Sequence, residues 1–385
     1  GNDQAKFVSE LLKLAGSVEL GTGLRPSVPA LSVVETEVKL KVLVDAPEWS
    51  LNGPGTNNGL LVISGQPGTG KSQLALDLLA QLSNVGVRFV FFDMKGELED
   101  DRNNPQQRQN RTRFLEQTGV RHVRLIQQGL PINPLYRHTN PAQNAQVAYE
   151  IANLIRCFAP QLGAKQERNI ADAYERLTTP DFRSLEQELV NSGASGVDLA
   201  IIEKIERLHL FATADRAITA EEWLNGSLVV DFKEFGNDTE TKALAVALIL
   251  NFLIRRLNQS LAVKKDIQPI KTVLFVDEAH LLLPKESKAG LLSSLARQGR
   301  SWGFPLWLAS QDTDKFLTVG ASETNFADLA ECGVHFSPQT LSDSEQKMIL
   351  GGVIHQKFRK AEAALRLQGK LISGTARQFW RDGGG

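Results

Sequence analysis

One short segment, residues 65–72, reads GQPGTGKS and matches every fixed position of the phosphate-loop pattern G-x-x-x-x-G-K-S. It lies between an apolar run, Leu60 to Ile63, and a helical pattern, Leu74 to Leu82. Strand, loop and helix in this order let backbone N–H groups at a helix start turn toward phosphates. A glycine-rich turn that binds nothing is the alternative, and the complete match in this context disfavours it. The segment therefore predicts a phosphate-binding strand–loop–helix unit.

The residue types of the loop assign roles within it. Lys71 has the length and charge to reach β- and γ-phosphate oxygens, and the Ser72 hydroxyl can ligate Mg²⁺ at the helix start. We therefore predict ATP and Mg²⁺ as ligands. The predicted nucleotide-binding residues are Gly65, Gln66, Pro67, Gly68, Thr69, Gly70, Lys71, Ser72 and Gln73.

A second run, Val273 to Val276, is typical of a buried strand and ends in two acids, Asp277 and Glu278. Asp277 is predicted to hold Mg²⁺ directly or through water, and Glu278 to polarise the attacking water. Two solvated acids at a strand end are the alternative, which the upstream phosphate loop disfavours. With Ala279 and His280 the acids spell DEAH, but the further ordered motifs and second motor domain of that helicase class are absent from the sequence.

Three further polar residues are candidates for the same site. Gln311 follows the apolar run Leu306 to Ser310, at the strand end where ligands of open parallel sheets lie. It senses γ-phosphate or orients water, or it is a turn amide. Arg297 and Arg300 end a helical pattern. They are arginine-finger candidates, or they are charges that interact with a helix carboxyl terminus.

Apolar runs that alternate with helical patterns predict an α/β fold with a mostly parallel sheet flanked by helices. The predicted strands after the first are Val87 to Asp93, Val123 to Ile126, Ser227 to Phe232, Thr272 to Val276 and Leu306 to Ser310, and the main later helices are Thr241 to Asn258 and Ala289 to Trp302. The predicted parts are an N-terminal lead-in with β structure (1–58), the first part of the core (59–140), a helical insertion (141–224) and the second part of the core (225–385).

Smaller features complete the predicted organisation. Residues 7–14 form an amphipathic helix, residues 32–44 one or two strands, and residues 365–380 a hairpin. Residues 106–113 are polar and basic, and form a solvated loop or helix start or else contact phosphate.

Composition sets wider limits. The 385 residues carry a net charge of −1, so any contact with nucleic acid must come from a local groove. Cys157 and Cys332 lack metal-type spacing and are expected to be free thiols. The apolar run Ala243 to Ile254 is too short to span a bilayer, so we expect a cytoplasmic protein without a membrane partner. The glycines at both ends indicate a piece of a longer chain, or native ends of similar appearance.

Taken together, the motifs resemble those of the HerA/FtsK superfamily over roughly residues 50–380. The matching motifs are the phosphate loop, Phe92 to Glu97 (FDMKGE), the helical insertion, Val276 to Glu278, Arg297 to Gly303 and Leu308 to Gln311. The resemblance implies a RecA-like P-loop core that forms a homo-oligomer, a hexameric ring, and hydrolyses ATP between subunits to move double-stranded DNA or protein. It assigns phosphates to Lys71 and Ser72, metal to Asp277, catalysis to Glu278, sensing to Gln311 and the finger to Arg297 or Arg300.

Two flanking segments, residues 48–56 and 376–384, more narrowly resemble HerA-like components of phosphorothioation-dependent DNA restriction systems. That resemblance implies other restriction-system proteins as partners. A nucleotide-dependent switch or scaffold and a secretion-type coupling ATPase are the alternative functions. Lys95 faces phosphate or a neighbouring subunit, and Phe379 and Trp380 stack on adenine or close the core.

Overall fold

The computed structural model describes residues 31–100, 103–284, 290–316 and 324–383, and its strands form two sheets. The strands are β1 (Lys39–Leu40), β2 (Trp49–Ser50), β3 (Leu61–Ser64), β4 (Arg88–Asp93), β5 (Arg121–Arg124), β6 (Leu228–Asp231), β7 (Thr272–Val276), β8 (Leu306–Ser310), β9 (Cys332–Phe336), β10 (Glu362–Leu367) and β11 (Lys370–Thr375).

Helices occupy most of the chain between these strands. They are α1 (Lys71–Asn84), α2 (Pro105–Thr118), α3 (Leu125–Gln128), α4 (Pro141–Phe158), α5 (Ala164–Arg176), α6 (Phe182–Asn191), α7 (Val197–Arg207), α8 (Ala220–Trp223), α9 (Thr239–Leu257), α10 (Leu291–Gln298), α11 (Phe326–Leu329), α12 (Asp343–Leu350) and α13 (Phe379–Asp382). Short 3₁₀ turns cover Lys233–Phe235, Ala279–Leu281, Thr313–Phe316 and Pro338–Thr340.

The larger sheet has nine strands in the order β11-β10-β9-β3-β8-β7-β4-β6-β5. The seven strands from β9 to β5 are all parallel, and β10 and β11 add an antiparallel hairpin beside β9. In a parallel sheet every strand ends at the same edge, so the loops after β3, β8, β7 and β4 meet there. The strand order therefore places the loops that carry the predicted site residues side by side.

Both faces of the sheet are covered, as continuous apolar strands require. Leu61 and Ile63 of β3 face a core that includes helix α1, whereas Val62 faces the core that contains α4 to α7 and α9. Helix α4 begins where Asn140 accepts hydrogen bonds from two backbone N–H groups and Pro141 occupies the first turn. Helix α9 is buried along most of its length and packs beneath the sheet.

The predicted fold class is confirmed, and several element boundaries need correction. The predicted strand Val123 to Ile126 has the wrong bounds, because β5 covers Arg121–Arg124 and Leu125 begins α3. Residues 106–113 form the first turns of helix α2, which agrees with the predicted alternative of a helix start. Strand β9 was not predicted because Gly333 and His335 interrupt its apolar pattern, although the strand is buried throughout. The predicted helix at residues 7–14 and the first residue of the predicted helix Ala289 to Trp302 lie outside the described residues. Cys157 and Cys332 are buried and are not joined in a disulfide, in agreement with the prediction.

A buried histidine on β9 makes the stability of the folded protein depend on pH. The Nδ1 atom of His335 lies 2.6 Å from the hydroxyl of Ser64, at the end of β3. Burial, with a smaller contribution from Arg366, lowers the pKa of His335 to about 3. The unfolded chain takes up this proton near its ordinary pKa of about 6.5, so stability falls as the pH drops below that value.

We expect His335→Gln to weaken the acid dependence of stability. Between pH 7 and pH 5 the wild-type free energy of unfolding should lose about 2 kcal/mol through this one group, because only the unfolded state binds the proton. Denaturant titrations at both pH values measure this loss, and the variant should lack it. An equal loss in both proteins would contradict the assignment.

Candidate nucleotide and magnesium site

The site lies at the carboxyl-terminal edge of four neighbouring strands. The phosphate loop follows β3, Gln311 follows β8, and Asp277 with Glu278 follows β7. Asp93 is the last residue of β4, and a turn follows it. Because β8 lies between β3 and β7, Gln311 lies between the loop and the two acids. Four segments that are far apart in sequence thus meet along one edge.

The phosphate loop has the backbone geometry that its glycines predict. Gly65 has a φ of 143°, and a side chain there would place Cβ 2.6 Å from the Cβ of Phe336. Gly70 has a φ of 118° and precedes α1, with its would-be Cβ 2.9 Å from the Oε1 of Gln378. Only glycine adopts such angles without strain. The loop therefore turns its backbone toward the start of α1, where phosphate oxygens bind.

Lys71 is buried and its ammonium lies inside the loop. Its Nζ donates to the carbonyl oxygens of Gly65 at 2.5 Å and Gln66 at 2.9 Å. Burial lowers its pKa, as does the nearby ammonium of Lys95, while the surrounding carboxylates oppose the shift. The geometry places a cation where the loop would enclose the β- and γ-phosphates.

The Ser72 hydroxyl, the predicted Mg²⁺ ligand, donates to the Oε1 of Glu97 at 2.8 Å. Glu97 lies in the turn after β4. Its contact with Ser72 joins this turn to the first turn of α1.

Asp277 is the other predicted Mg²⁺ ligand, and its environment fits a cation. Its Oδ2 is buried and has no hydrogen-bond partner among the described residues. Burial, followed by the charge of Glu278, raises the pKa of Asp277 to about 8. A bound divalent cation would stabilise the ionised carboxylate and reverse this shift. Hydroxyl and carboxylate oxygens are the ligands that Mg²⁺ prefers, so the residues present fit this ion.

Glu278 is held by three side chains. Lys95 forms an ion pair with its Oε1, the Nε2 of Gln311 donates to Oε1 at 3.1 Å, and the Nδ1 of His280 lies 3.0 Å from Oε2. Burial raises the pKa of Glu278, but the close contacts of its carboxylate with His280, Lys95 and Gln311 outweigh it and lower the pKa to about 2. Glu278 itself has a left-handed backbone, with a φ of 53°. The carboxylate is thus ionised and fixed in position.

Neither arginine candidate contacts the phosphate loop of its own chain. Arg297 Nη2 lies 3.5 Å from the Oγ1 of Thr324. Arg300 donates to the carbonyl oxygens of Thr56 and Asn57, which precede β3 and lie at the opposite edge of the sheet. The finger role remains a prediction, and it requires the arginine to act on a neighbouring subunit.

A segment near the end of the given sequence, residues 377–380, packs against helix α1 and hydrogen-bonds to it. Arg377 pairs with buried Asp77 of α1 through Nε at 2.7 Å and Nη2 at 3.3 Å. Gln378 Nε2 lies 3.3 Å from the Gly70 carbonyl oxygen. Phe379 is fully buried and closes the core, whereas Trp380 is 52% exposed. Sequence reasoning identified this segment through the family resemblance and did not predict its contacts with α1.

Glu97 was also absent from the predicted site residues, and the alternatives for Lys95 did not include the ion pair with Glu278. The only indication in the sequence that Lys95 and Glu97 belong to the site was their position. Both follow a predicted strand whose end lies near the phosphate loop.

The fold matches solved structures, one of which contains a bound ATP analogue. VirB4 of Thermoanaerobacter pseudethanolicus superposes with a TM-score of 0.62 at 16% identity, covering 89% of this chain and 96% of that one. The plasmid coupling protein TrwB, in complex with the ATP analogue ADPNP, gives a TM-score of 0.52 at 15% identity, covering 82% and 84%. No family model matches the chain, and neither does a curated protein. The chain has the RecA-like P-loop fold.

Among the described residues, no helix combines the length and apolar character needed to cross a membrane.

The buried carboxyl of Asp277, whose Oδ2 has no hydrogen-bond partner among the described residues, should destabilise the folded protein when no cation is bound. Between about pH 4 and pH 8 the unfolded side chain is ionised and the folded one protonated, so its effect on stability becomes more unfavourable as pH rises. We expect Asp277→Asn to stabilise the protein by up to about 4 kcal/mol at pH 7, and by up to about 2 kcal/mol at pH 5. Thermal unfolding at both pH values measures the difference.

The exposed acid Asp215 supplies the matched control, because Asp215→Asn removes a carboxyl that is 77% exposed. We also expect Asp277→Asn to abolish the additional thermal stabilisation that Mg²⁺ gives in the presence of nucleotide. An Asp277→Asn protein that is no more stable than wild type, and that still responds to Mg²⁺, would contradict the metal-ligand assignment.

Proposed function

We propose that this protein binds ATP with Mg²⁺ and hydrolyses it. The observation that carries the proposal is the meeting of three features at one sheet edge: a complete phosphate loop, a buried Asp277 whose Oδ2 has no hydrogen-bond partner among the described residues, and a Glu278 held by an ion pair with Lys95. Phosphoryl transfer needs little covalent chemistry from the protein, because positioning and charge stabilisation dominate its catalysis.

Each side chain contributes to one part of that chemistry. The loop N–H groups and the Lys71 ammonium hold the phosphates, and Ser72 with Asp277 would hold the cation. Mg²⁺ held there would neutralise part of the negative charge on the transferring phosphoryl group. Glu278 orients and polarises the attacking water, and Gln311, which already contacts Glu278, lies where it can sense the γ-phosphate.

We further propose that hydrolysis drives translocation of double-stranded DNA by a homo-oligomeric, hexameric ring of the HerA/FtsK type. The sequence motifs support this reading, and their narrower resemblance is to the ATPase region of DptH, a component of phosphorothioation-dependent restriction systems. Restriction-system proteins would then be partners. A translocase holds phosphates rather than reading bases, so a chain with a net charge of −1 needs only a local cationic groove.

One observation favours a second candidate, a secretion-type or conjugative coupling ATPase. The structures that superpose above a TM-score of 0.5 include VirB4 and a plasmid coupling protein. In this case the transported substrate would be a protein or a protein–DNA complex. The catalytic step at Glu278 is the same for both candidates.

Turnover tests the proposal directly. We expect Glu278→Gln to lower the steady-state rate of ATP hydrolysis by about 10² to 10⁴-fold, because the amide cannot act as a base, while nucleotide binding persists. The rate should be measured over a protein concentration series with and without double-stranded DNA. Activation by assembly and by DNA supports the ring translocase. A variant as active as wild type would refute the catalytic assignment, and a DNA-independent rate in the assembled protein would refute the translocase.

The arginine fingers are tested by mixing subunits. Arg297→Ala or Arg300→Ala should reduce the rate by about 10³-fold if the residue acts in a neighbouring site. Mixing that inactive variant with Glu278→Gln should restore activity, because some interfaces then combine an intact finger with an intact base. Arg216→Ala, at a side chain 83% exposed, is the control. Failure of every mixture to regain activity would exclude a finger supplied in trans.

A further inference from the structure

The turn after β4, residues 93–98, is fixed by its own first residue. The Oδ1 of Asp93 accepts hydrogen bonds from the backbone N–H of Lys95 at 3.2 Å and of Gly96 at 2.8 Å. Its Oδ2 accepts another from Leu98 at 3.3 Å. Asp93 is completely buried, so these bonds are shielded from water. The buried carboxyl of Asp93 thus stabilises the backbone conformation of residues 93–98.

Gly96 lets this turn reverse direction. Its φ is 77°, and a Cβ at this position would lie 2.6 Å from the Cδ of Lys233. The residues on either side, Lys95 and Glu97, are therefore projected from a rigid support.

These two residues reach different parts of the site. Glu97 Oε1 accepts the 2.8 Å hydrogen bond from the hydroxyl of Ser72, on α1. Lys95 Nζ forms the ion pair with Glu278, after β7. The turn therefore contacts both the group expected to bind the cation and the group expected to activate water.

We propose that Lys95 and Glu97 are positioning residues of the ATPase site, Glu97 acting through Ser72 and Lys95 through Glu278. This inference rests on the proposed function. It adds a third sequence element, the turn after β4, to the phosphate loop and the acidic strand end.

The chemistry of a hydroxyl explains the role of Glu97. A serine hydroxyl has one proton and two acceptor lone pairs. When Ser72 donates its proton to Glu97, its lone pairs point away from that bond and are available to a cation. Acceptors that orient metal ligands in this way typically change metal affinity or activity by about 10- to 100-fold when removed.

The chemistry of an ammonium explains the role of Lys95. The Glu278 side chain is only 5% exposed, so its carboxylate needs compensating donors. Lys95 supplies a charged donor on Oε1, the oxygen that also accepts from Gln311, while His280 lies beside the other oxygen. Lys95 is itself 36% exposed, but its partner carboxylate is nearly buried, so its loss should also lower stability. Its main effect is to restrict the orientation of Glu278.

The matched controls, Glu99 and Lys233, lie beside the turn but outside it. Glu99 forms an ion pair with Lys233. Neither has a hydrogen bond or ion pair with a proposed site residue among the described residues. Glu99→Ala and Lys233→Met therefore remove the same functional groups as Glu97→Ala and Lys95→Met without touching Ser72 or Glu278.

The role of Glu97 is tested by nucleotide binding, which needs no turnover. The dissociation constant of a fluorescent ADP analogue is measured with Mg²⁺ and with EDTA. We expect Glu97→Ala to reduce the Mg²⁺-dependent gain in affinity by about 10-fold or more, with the EDTA value unchanged. The double variant with Ser72→Ala should lose no more than Ser72→Ala alone. Additive losses, or a Glu97→Ala protein that matches Glu99→Ala, would overturn the role of Glu97.

The role of Lys95 is tested by separating kcat from KM. We expect Lys95→Met to lower kcat by about 10- to 100-fold with KM and the nucleotide dissociation constant nearly unchanged, and Lys95→Arg to recover part of the rate. A raised KM with unchanged kcat would indicate that Lys95 only binds substrate and would overturn positioning. So would a rate equal to that of Lys233→Met.

The experiments distinguish failure of the proposed ATPase function from failure of the positioning roles of Lys95 and Glu97. If wild type neither binds nucleotide nor turns it over, the proposed function fails. If wild type is active and depends on Glu278, but the Lys95 and Glu97 variants match their controls, only the positioning inference fails.

Discussion

The hydrogen-bond register of the parallel sheet is the constraint on which the site depends. Ser64 of β3 pairs with Ser310 of β8, and Val276 of β7 pairs with Leu308 of β8. Because these pairs align the strand ends, the loops that follow begin from the same edge. A slip of one residue in any strand would turn its side chains to the opposite face and separate the groups that now meet. The apolar cores on both faces hold this register.

At that edge two carboxyl groups are buried, and burial makes the ionised form of a carboxyl group unfavourable. The uncharged form of Asp277 is favoured by burial, and the ionised form of Glu278 is favoured by its three partners. Two adjacent carboxyls thus have opposite preferences, which is consistent with the different roles proposed for them: Asp277 as a metal ligand and Glu278 as the group that polarises water. This division follows from the partners each residue has, because both lie after the same strand and have the same chemical group.

Much of this arrangement was predictable from sequence, because its signals are local. The phosphate loop, the strand that ends in Asp277 and the strand that ends before Gln311 all follow from short apolar runs and fixed residue types. Strand β9 escaped prediction since Gly333 and His335 break its apolar run, and its burial comes from neighbours that only the fold supplies. The contact of Glu97 with Ser72 is likewise a tertiary contact that residue spacing does not encode.

The pairing of Arg377 with Asp77 has a consequence for how the chain matures. The two residues are 300 positions apart, and both are buried. A buried carboxylate without its partner is unfavourable, so α1 lacks its final support while Arg377 is still missing. During synthesis, α1 is made 300 residues before the arginine that pairs with it. The contacts that support the phosphate-loop helix are therefore complete only after Arg377 has joined the fold.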